Sequence, residues 1–393
     1  MRLPKLLKTI MPKLNQKNRV VVAMSGGVDS SVAAALLKRA GFDVVGIMMK
    51  FWKDGVSSDN RCCSVESEKL ARLVAKKIGI PFYVLNVEKE FKKKVVDYFL
   101  KEYKNGKTPN PCVVCNKEIK FGFLINKALS LGADFVATGH YAQRSATNLL
   151  VPRGVFPSAG NPLCSAGQMD QGTTKSLLPR SVRLFMGNDK QKDQSYFLWQ
   201  LNQKQLSHVL FPVGGYTKPE VRELAKEFDL PTAETPESQE VCFVKDTTNN
   251  FLKKYLKTKT GKVLDAQGNV VGQHQGLWFY TIGQRKGLEI NQGPWYVVGK
   301  DFKKNVLIVS KNIKDLNKKE FIANNVNWIL PQKLPANAEV KIRYKSAFAK
   351  AKIFKLAGKK GKVVFAKPQK AITSGQSAVF YKGKELLGGG VIE

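Results

Sequence analysis

The stretch VVVAMSGGVDSSVAAALLKRAG, Val20 to Gly41, decides how the first third of the chain is read. Its β-branched start is a buried strand, its Ala- and Leu-rich end is a helix stopped by Gly41, and two glycines lie between them. A glycine pair at that point admits backbone conformations that side chains forbid, and the amides opening the helix have no carbonyl partners of their own. Together with the positive end of the helix dipole they make an anion site. A phosphate loop of the GxxxxGK[ST] kind carries a lysine that reaches the β and γ phosphates. Ser25–Ser31, SGGVDSS, has none. The loop suits chemistry in which pyrophosphate is held as a leaving group while the α phosphorus is attacked.

Outward from this stretch, RVVVAM, VVGIMM, FYVLNV and DFVAT read as short strands. Helical patterns over Asp29–Ala40, Val65–Ile78 and Asn116–Leu131 separate them, each followed by a glycine. Strands alternating with helices predict a doubly wound α/β fold with a parallel sheet. Ser145–Gly187, rich in Gly, Pro, Ser and Thr, breaks the rhythm and reads as an inserted loop. A helix follows in YTKPEVRELAKEFDLPT. Beyond Pro294 the strings WYVVG, NVLIVS, EVKIRYKS and KVVFAK predict a small antiparallel β-barrel. The expected organisation is a catalytic domain over 1–214, with a tail at 1–18 and the insertion at about 145–187, a central domain over 215–292, and a C-terminal basic barrel over 293–393.

The 393 residues carry a formal net charge of +34. From Gly293 onward there are 21 Lys and Arg against 6 Asp and Glu, net +15. A lysine-rich proteome would raise the total in every protein, but clustering favours a polyanion surface, nucleic acid above all. No apolar run reaches the roughly 18 residues of a membrane span. The opening MRLPKLLKTIMPKLNQKN is broken by lysines and prolines, which suits a solvated tail better than a secretory leader. Six cysteines in such a chain do not make a disulfide framework, and a cytoplasmic, reduced setting is expected.

Cys112 and Cys115, in KTPNPCVVCNKEIKFG, are expected in a rigid turn just before a helix, whose start favours thiolate. Zinc would need further ligands, and His140, His208 and His274 are scattered without ligand spacing, so no protein metal site is expected. A redox CxxC is out of its usual context. A third reading pairs one of these thiols with the remote Cys242 of ESQEVCFV.

SGGVDSS resembles the pyrophosphate loop of the N-type ATP pyrophosphatases. That string, RCCSVE, TPNPCVVCNKEIKFG, ATGHYA, KDQSYFLW, ESQEVCFV and YTIGQRKGL occur in an order similar to that of the tRNA-specific 2-thiouridylases, covering roughly Val20 to Gly299. Two features depart from the family pattern: the N-terminal extension and the long Ser145–Gly187 segment. The resemblance implies that ATP lies against Ala23, Met24, Ser25, Gly26, Gly27, Val28, Asp29, Ser30 and Ser31, with Met49 and Gly139 bordering adenine and ribose, and that Mg²⁺ accompanies the phosphates. It implies that Cys242 carries a persulfide loaded by a sulfur-donor protein, and that Cys115 is the partner catalytic thiol. Cys112 stands where family members carry Asp or Cys. Asn110, Pro111 and Cys112 would face a flipped uridine, Lys192, Asp193 and Gln194 would meet the tRNA, and Arg343 and Tyr344 would reach it from the barrel. The implied substrates are tRNAs for Lys, Glu and Gln. A mechanistic rival places an iron–sulfur cluster with one open iron on Cys112, Cys115 and Cys242. Another loop-bearing tRNA modifier, or a tRNA-binding protein without chemistry, are the alternatives. Cys62 and Cys63 are expected in packing roles and Cys164 is incidental.

Overall fold

The computed structural model describes residues 18–54, 64–146, 181–236, 241–291 and 293–393. The N-terminal tail, Cys62, Cys63, Cys164 and most of the insertion lie outside them. The chain forms two compact units, one of Met1–Lys89, Asn116–Phe243 and Lys384–Leu386, the other of Glu90–Cys115, Val244–Gly383 and Leu387–Glu393.

In the first unit, β1 (Arg19–Ala23), β2 (Asp43–Lys50), β3 (Phe82–Asn86), β4 (Phe135–Ala137) and β7 (Val209–Leu210) form a five-stranded sheet in the order β3-β2-β1-β4-β7. Every pairing is parallel, as the alternation of strand and helix requires. Helix α1 (Val28–Arg39) returns the chain from β1 to β2, and α2 (Val65–Ile78) returns it towards β3. Gly41 and Gly79 stop them with φ of +90° and +66°. The buried alanines 33, 34 and 35 keep α1 thin enough to touch both the sheet and α3 (Lys218–Glu227), which adds Val221 and Ala225 to the same core. Because β2 and β3 lie on one side of β1, and β4 and β7 on the other, the order in which strands are added to the sheet reverses between β1 and β4. Open sheets of this kind bind ligands beyond the strand ends at that reversal.

Two expectations are corrected in this unit. The ends of Ser145–Gly187 are strands: β5 (Ala142–Ala146) pairs antiparallel with β6 (Val182–Met186), and Glu385–Leu386 pair along the free edge of β6. The alternation of buried Val182 and Leu184 about exposed Arg183 was the available signal, too short to stand out. The helix over Asn116–Leu131 is α-helical only from Leu124 to Ser130; Asn116–Phe123 is wound as a π-helix. There a Cβ on Gly122 would fall 2.8 Å from the Lys117 carbonyl oxygen. Gln205 satisfies the loosened turn, its Nε2 donating to the carbonyls of Lys117 at 3.0 Å and Phe121 at 2.8 Å.

In the second unit, β8 (Gly261–Leu264), β9 (Val270–His274), β10 (Tyr296–Asp301) and β11 (Val306–Ser310) form a sheet in the order β10-β11-β8-β9, with β11 and β8 parallel. WYVVG and NVLIVS thus lie in this sheet, and the barrel begins at Asn317. Its six strands are β12 (Asn317–Trp328), β13 (Ala336–Lys341), β14 (Ala349–Lys355), β15 (Gly361–Lys370), β16 (Ser377–Lys382) and β17 (Glu385–Ile392). They run in the order β12-β15-β14-β13-β16-β17, and β17 pairs back onto β12 to close the barrel. Val340, Ile353, Val363, Phe365 and Phe380 fill it. Among the described residues no helix is long and apolar enough to cross a membrane.

Phe380 is fully buried, with its ring 5.3 Å from that of Trp328. Phe380→Ala is expected to destabilise the barrel by about 3–5 kcal/mol, measured by urea unfolding followed through tryptophan fluorescence.

Candidate active site

The loop after β1 and the loop after β4 meet at the reversal of the sheet. Gly26 has φ of +78°, and a Cβ there would lie 2.3 Å from the carbonyl oxygen of Ser67 in the first turn of α2. Only glycine satisfies both conditions. Gly27 precedes α1 in an extended conformation and offers no side chain to cap it. The loop holds itself instead. The Ser30 and Ser31 hydroxyls each donate to the Gly27 carbonyl at 3.0 Å, and Ser30 Oγ accepts from the Ser25 amide at 3.1 Å. The amides at the start of α1 are left to an anion.

From the other side, Gly139 lies against the start of α1. A Cβ there would sit 2.7 Å from the Asp29 carbonyl carbon and the Ser30 nitrogen. Two residues on, Tyr141 OH donates to Asp29 Oδ1 at 2.7 Å, and Lys218 Nζ reaches the same oxygen at 2.6 Å. Lys218 comes from the first position of α3, 189 residues away in sequence, and its side chain is 8% exposed. Asp189 fixes that helix start by accepting from the Lys218 amide at 2.9 Å, and it also accepts from the amides of Gln191 and Lys192. Burial opposes the Asp189 charge, but these bonds outweigh it and hold the carboxyl below the usual range.

His140, between Gly139 and Tyr141, is buried beside Phe121 and Phe211 and shares a hydrogen bond with Thr138 Oγ1 at 2.8 Å through Nδ1. Burial pushes it well below the ordinary imidazole range, and Lys120 pushes the same way.

Of the residues expected at ATP, Ala23 ends β1, Met24 is buried and donates its amide to Ile47, and Ser25–Ser31 and Gly139 form the cradle just described. Met49 is buried near the end of β2, in register with Leu85. Asp193 and Gln194 are engaged within the fold. Asp193 is buried and accepts from the Gly187 and Ser195 amides, and Gln194 Oε1 accepts from the Tyr141 amide. Lys192 is partly exposed. Cys242 is half-buried in a turn of this same unit.

In the second unit, Cys112 and Cys115 lie within a short helix, Pro111–Cys115, rather than ahead of one. Pro111 at its first position sets the backbone for the turn. Cys112 is exposed and Cys115 buried. The approach Gly106–Asn110 is clamped. Lys300 Nζ donates to the Gly106 carbonyl, Thr108 Oγ1 meets Thr281 Oγ1 at 3.1 Å, and Gln376 Nε2 donates to the Thr108 carbonyl at 2.8 Å. The string YTIGQRKGL therefore contributes through Thr281. Burial lowers Lys300 to about 8. Arg343 and Tyr344 sit in the turn between β13 and β14, not on a strand, with Arg343 exposed and Ser346 Oγ donating to its carbonyl. Lys341 lies over the rings of Phe348 and Tyr344, at 5.0 and 6.0 Å.

A family model described as the tRNA methyl transferase HUP domain matches residues 18–246. Models described as a tRNA methyl transferase PRC-barrel domain and an aminomethyltransferase beta-barrel domain match 249–311 and 318–392. The tRNA-specific 2-thiouridylase MnmA of Clostridioides difficile (strain 630) is 45% identical over 383 residues, 95% of this chain and 98% of its own length. The chain belongs to the tRNA-specific 2-thiouridylase family. The MnmA of Halothermothrix orenii is 46% identical over 387 residues, and MnmA 2 of Thermoanaerobacter sp. (strain X514) 44% over 386. Each match spans 96% of this chain and at least 98% of the relative.

Tyr141, Asp189 and Lys218 were not among the site residues expected from sequence. Lys218 left one trace: a lysine opening a helix opposes the helix dipole, and YTKPEV places one there.

Gly139→Ala is expected to force the start of α1 away and destabilise the first unit by about 1–3 kcal/mol, seen as a lower midpoint in thermal unfolding. His140 binds its proton more weakly folded than unfolded. Its contribution is therefore complete above the unfolded value near 6.5 and is lost as pH falls below it. His140→Asn should flatten the fall in stability between roughly pH 6.5 and 5, measured by unfolding midpoints across that range.

Proposed function

We propose that this chain converts a tRNA uridine, at the wobble position of tRNAs for Lys, Glu and Gln, to 2-thiouridine at the expense of ATP. The observation that carries the reading is the near full-length similarity to 2-thiouridylases, and the self-supported anion cradle at the switch of the sheet agrees with it. The uracil C2 carbonyl is a weak electrophile. Attack of its O2 on the α phosphorus of ATP makes an adenylate and frees pyrophosphate, which the amides of the loop retain. The terminal sulfur of a Cys242 persulfide then attacks C2, AMP leaves, and the base is joined to Cys242 through a disulfide. The Cys115 thiolate attacks Cys242 Sγ, the base departs as the thiolate of 2-thiouridine, and Cys115 and Cys242 are oxidised to a disulfide. An external dithiol reduces it, and a donor protein reloads the persulfide.

The base is taken from a single-stranded loop, flipped against Asn110, Pro111 and Cys112. Lys192, on the segment that Asp193 and Gln194 anchor to the fold, is proposed to meet the tRNA together with the Arg343–Tyr344 turn, the latter two residues combining phosphate pairing and stacking. Among the described residues no three His, Cys, Asp or Glu side chains are grouped as a metal site. Mg²⁺ arriving on the triphosphate needs few protein ligands and fits. The rival reading, a cluster with one open iron on Cys112, Cys115 and Cys242, is kept apart from this scheme, and no step is routed through it.

The test combines the full chain, ATP, Mg²⁺, a persulfide donor and unmodified tRNA, followed by nucleoside analysis by mass spectrometry. Thiolated uridine should form with the unaltered chain and vanish in Cys242→Ser and Cys115→Ser, while tRNA-dependent pyrophosphate release persists in both. Undiminished thiolation by Cys242→Ser would remove the sulfur carrier. A methylated base formed from a methyl donor would instead favour the activity that the first two family-model descriptions name.

A further inference from the structure

The pyrophosphate loop carries no lysine, yet a lysine reaches it through space. We infer that Lys218, at the head of α3, is the phosphate-binding cation of the cradle, which rests on the reading of that cradle as an ATP site. Three observations carry the inference. Lys218 Nζ is 2.6 Å from Asp29 Oδ1, and Asp29 is the second residue of α1, within the turn whose amides await an anion. The side chain is 8% exposed although nothing in a globular core needs an ammonium there, and it opens a helix whose dipole disfavours a cation. Asp29 meets the cost of burying the ammonium, and two further carboxylates fix the helix start. Asp189 holds the Lys218 amide at 2.9 Å, and Glu220 accepts from Thr217 N and Oγ1 at 2.6 and 2.7 Å, fixing the turn from which the lysine projects.

The rest of the node suits a cation that changes partner. Asp29 is one-third exposed and has a second partner besides Lys218, Tyr141 OH at 2.7 Å. When phosphate oxygens occupy the loop, the ammonium turns towards them, and the tyrosine continues to satisfy the carboxylate. A buried ion pair built for stability alone gains little over apolar packing. A charge that must meet a triphosphate and hold the departing pyrophosphate has a reason to be there. The role is that of the P-loop lysine, delivered from a helix beside the sheet rather than from the loop.

Loss of Lys218 also leaves Asp29 short of a partner, so the test separates the two effects. Pyrophosphate and AMP are titrated calorimetrically into the full unaltered chain, Asp29→Asn, Lys218→Met, Lys218→Arg and the double variant Asp29→Asn with Lys218→Met. The double variant is expected to bind pyrophosphate about 10- to 100-fold more weakly than Asp29→Asn alone. AMP affinity should differ by less than about threefold between them, and Lys218→Arg should recover part of the loss. Equal pyrophosphate affinity in Asp29→Asn and the double variant would reduce Lys218 to a partner of Asp29 and overturn the inference. Failure of the unaltered chain to bind pyrophosphate would overturn the nucleotide reading itself, and this one with it.

Discussion

The first unit depends on a close approach of backbones at the one place where the sheet reverses. Gly139 brings the chain leaving β4 against the start of α1, and Gly26 lets the chain leaving β1 lie against the first turn of α2. Neither contact tolerates a β-carbon. Once made, they put two strand ends and two helix starts within a few ångströms, so that helix dipoles and unpaired amides converge on one volume. Such convergence would be unfavourable if left empty of negative charge. Asp29 places one carboxylate in the first turn of α1, where lysine and tyrosine hold it.

The same economy governs the segment after the thiols. A π-helix leaves carbonyls without regular partners, a cost that a buried segment cannot defer to water. Gln205 carries the remedy, with one amide nitrogen serving two carbonyls, and its own carbonyl oxygen accepting from the Asn202 amide. Asn116, 2% exposed, donates to the Phe197 carbonyl. The Asn116 bond ties the π-helical segment to the Ser195–Leu198 turn that follows KDQ, and Gln194 of that string holds Tyr141. Within the first unit, then, strings remote in sequence share one hydrogen-bonded framework around the cradle.

Periodicity and punctuation made most of the α/β unit legible. Four β-branched runs, Gly41 and Gly79 closing α1 and α2, and a glycine pair without a following lysine were sufficient, because each records a local rule. What remained hidden was tertiary. The π-helix is too short, at eight residues, for its period to be told from an α-helix by pattern, and its side-chain bonds, from Gln205 and from Asn116, join residues far apart in sequence. The strands around Val297 and Leu307 look like barrel strands because period-two alternation says which face is buried, not which sheet buries it. Arg343 and Tyr344 lie past the last ladder residue of β13, where alternation gives no end signal without Gly or Pro. The cysteine motifs were legible as strings, while the burial of Cys115 and exposure of Cys112 follow from a helix whose Pro111 start shifts both thiols into its first turns.

Net charge named a class of partner and could say nothing of where individual charges serve. Among 65 Lys and Arg, most exposed lysines are interchangeable contributors to a field that draws in polyanions. Lys218 and Lys300 differ because burial has made their surroundings specific. Lys300 faces a backbone carbonyl, and with only a dipole to oppose desolvation its proton is held weakly, at about 8. It acts as a strut for the segment leading to Cys112. Lys218 faces a carboxylate at hydrogen-bonding distance, an anionic oxygen acceptor of the kind a phosphate would also offer it. A carbonyl partner fixes a lysine for structure, whereas an exchangeable anionic partner leaves it available for binding, and that difference in partner, invisible in composition, separates the two.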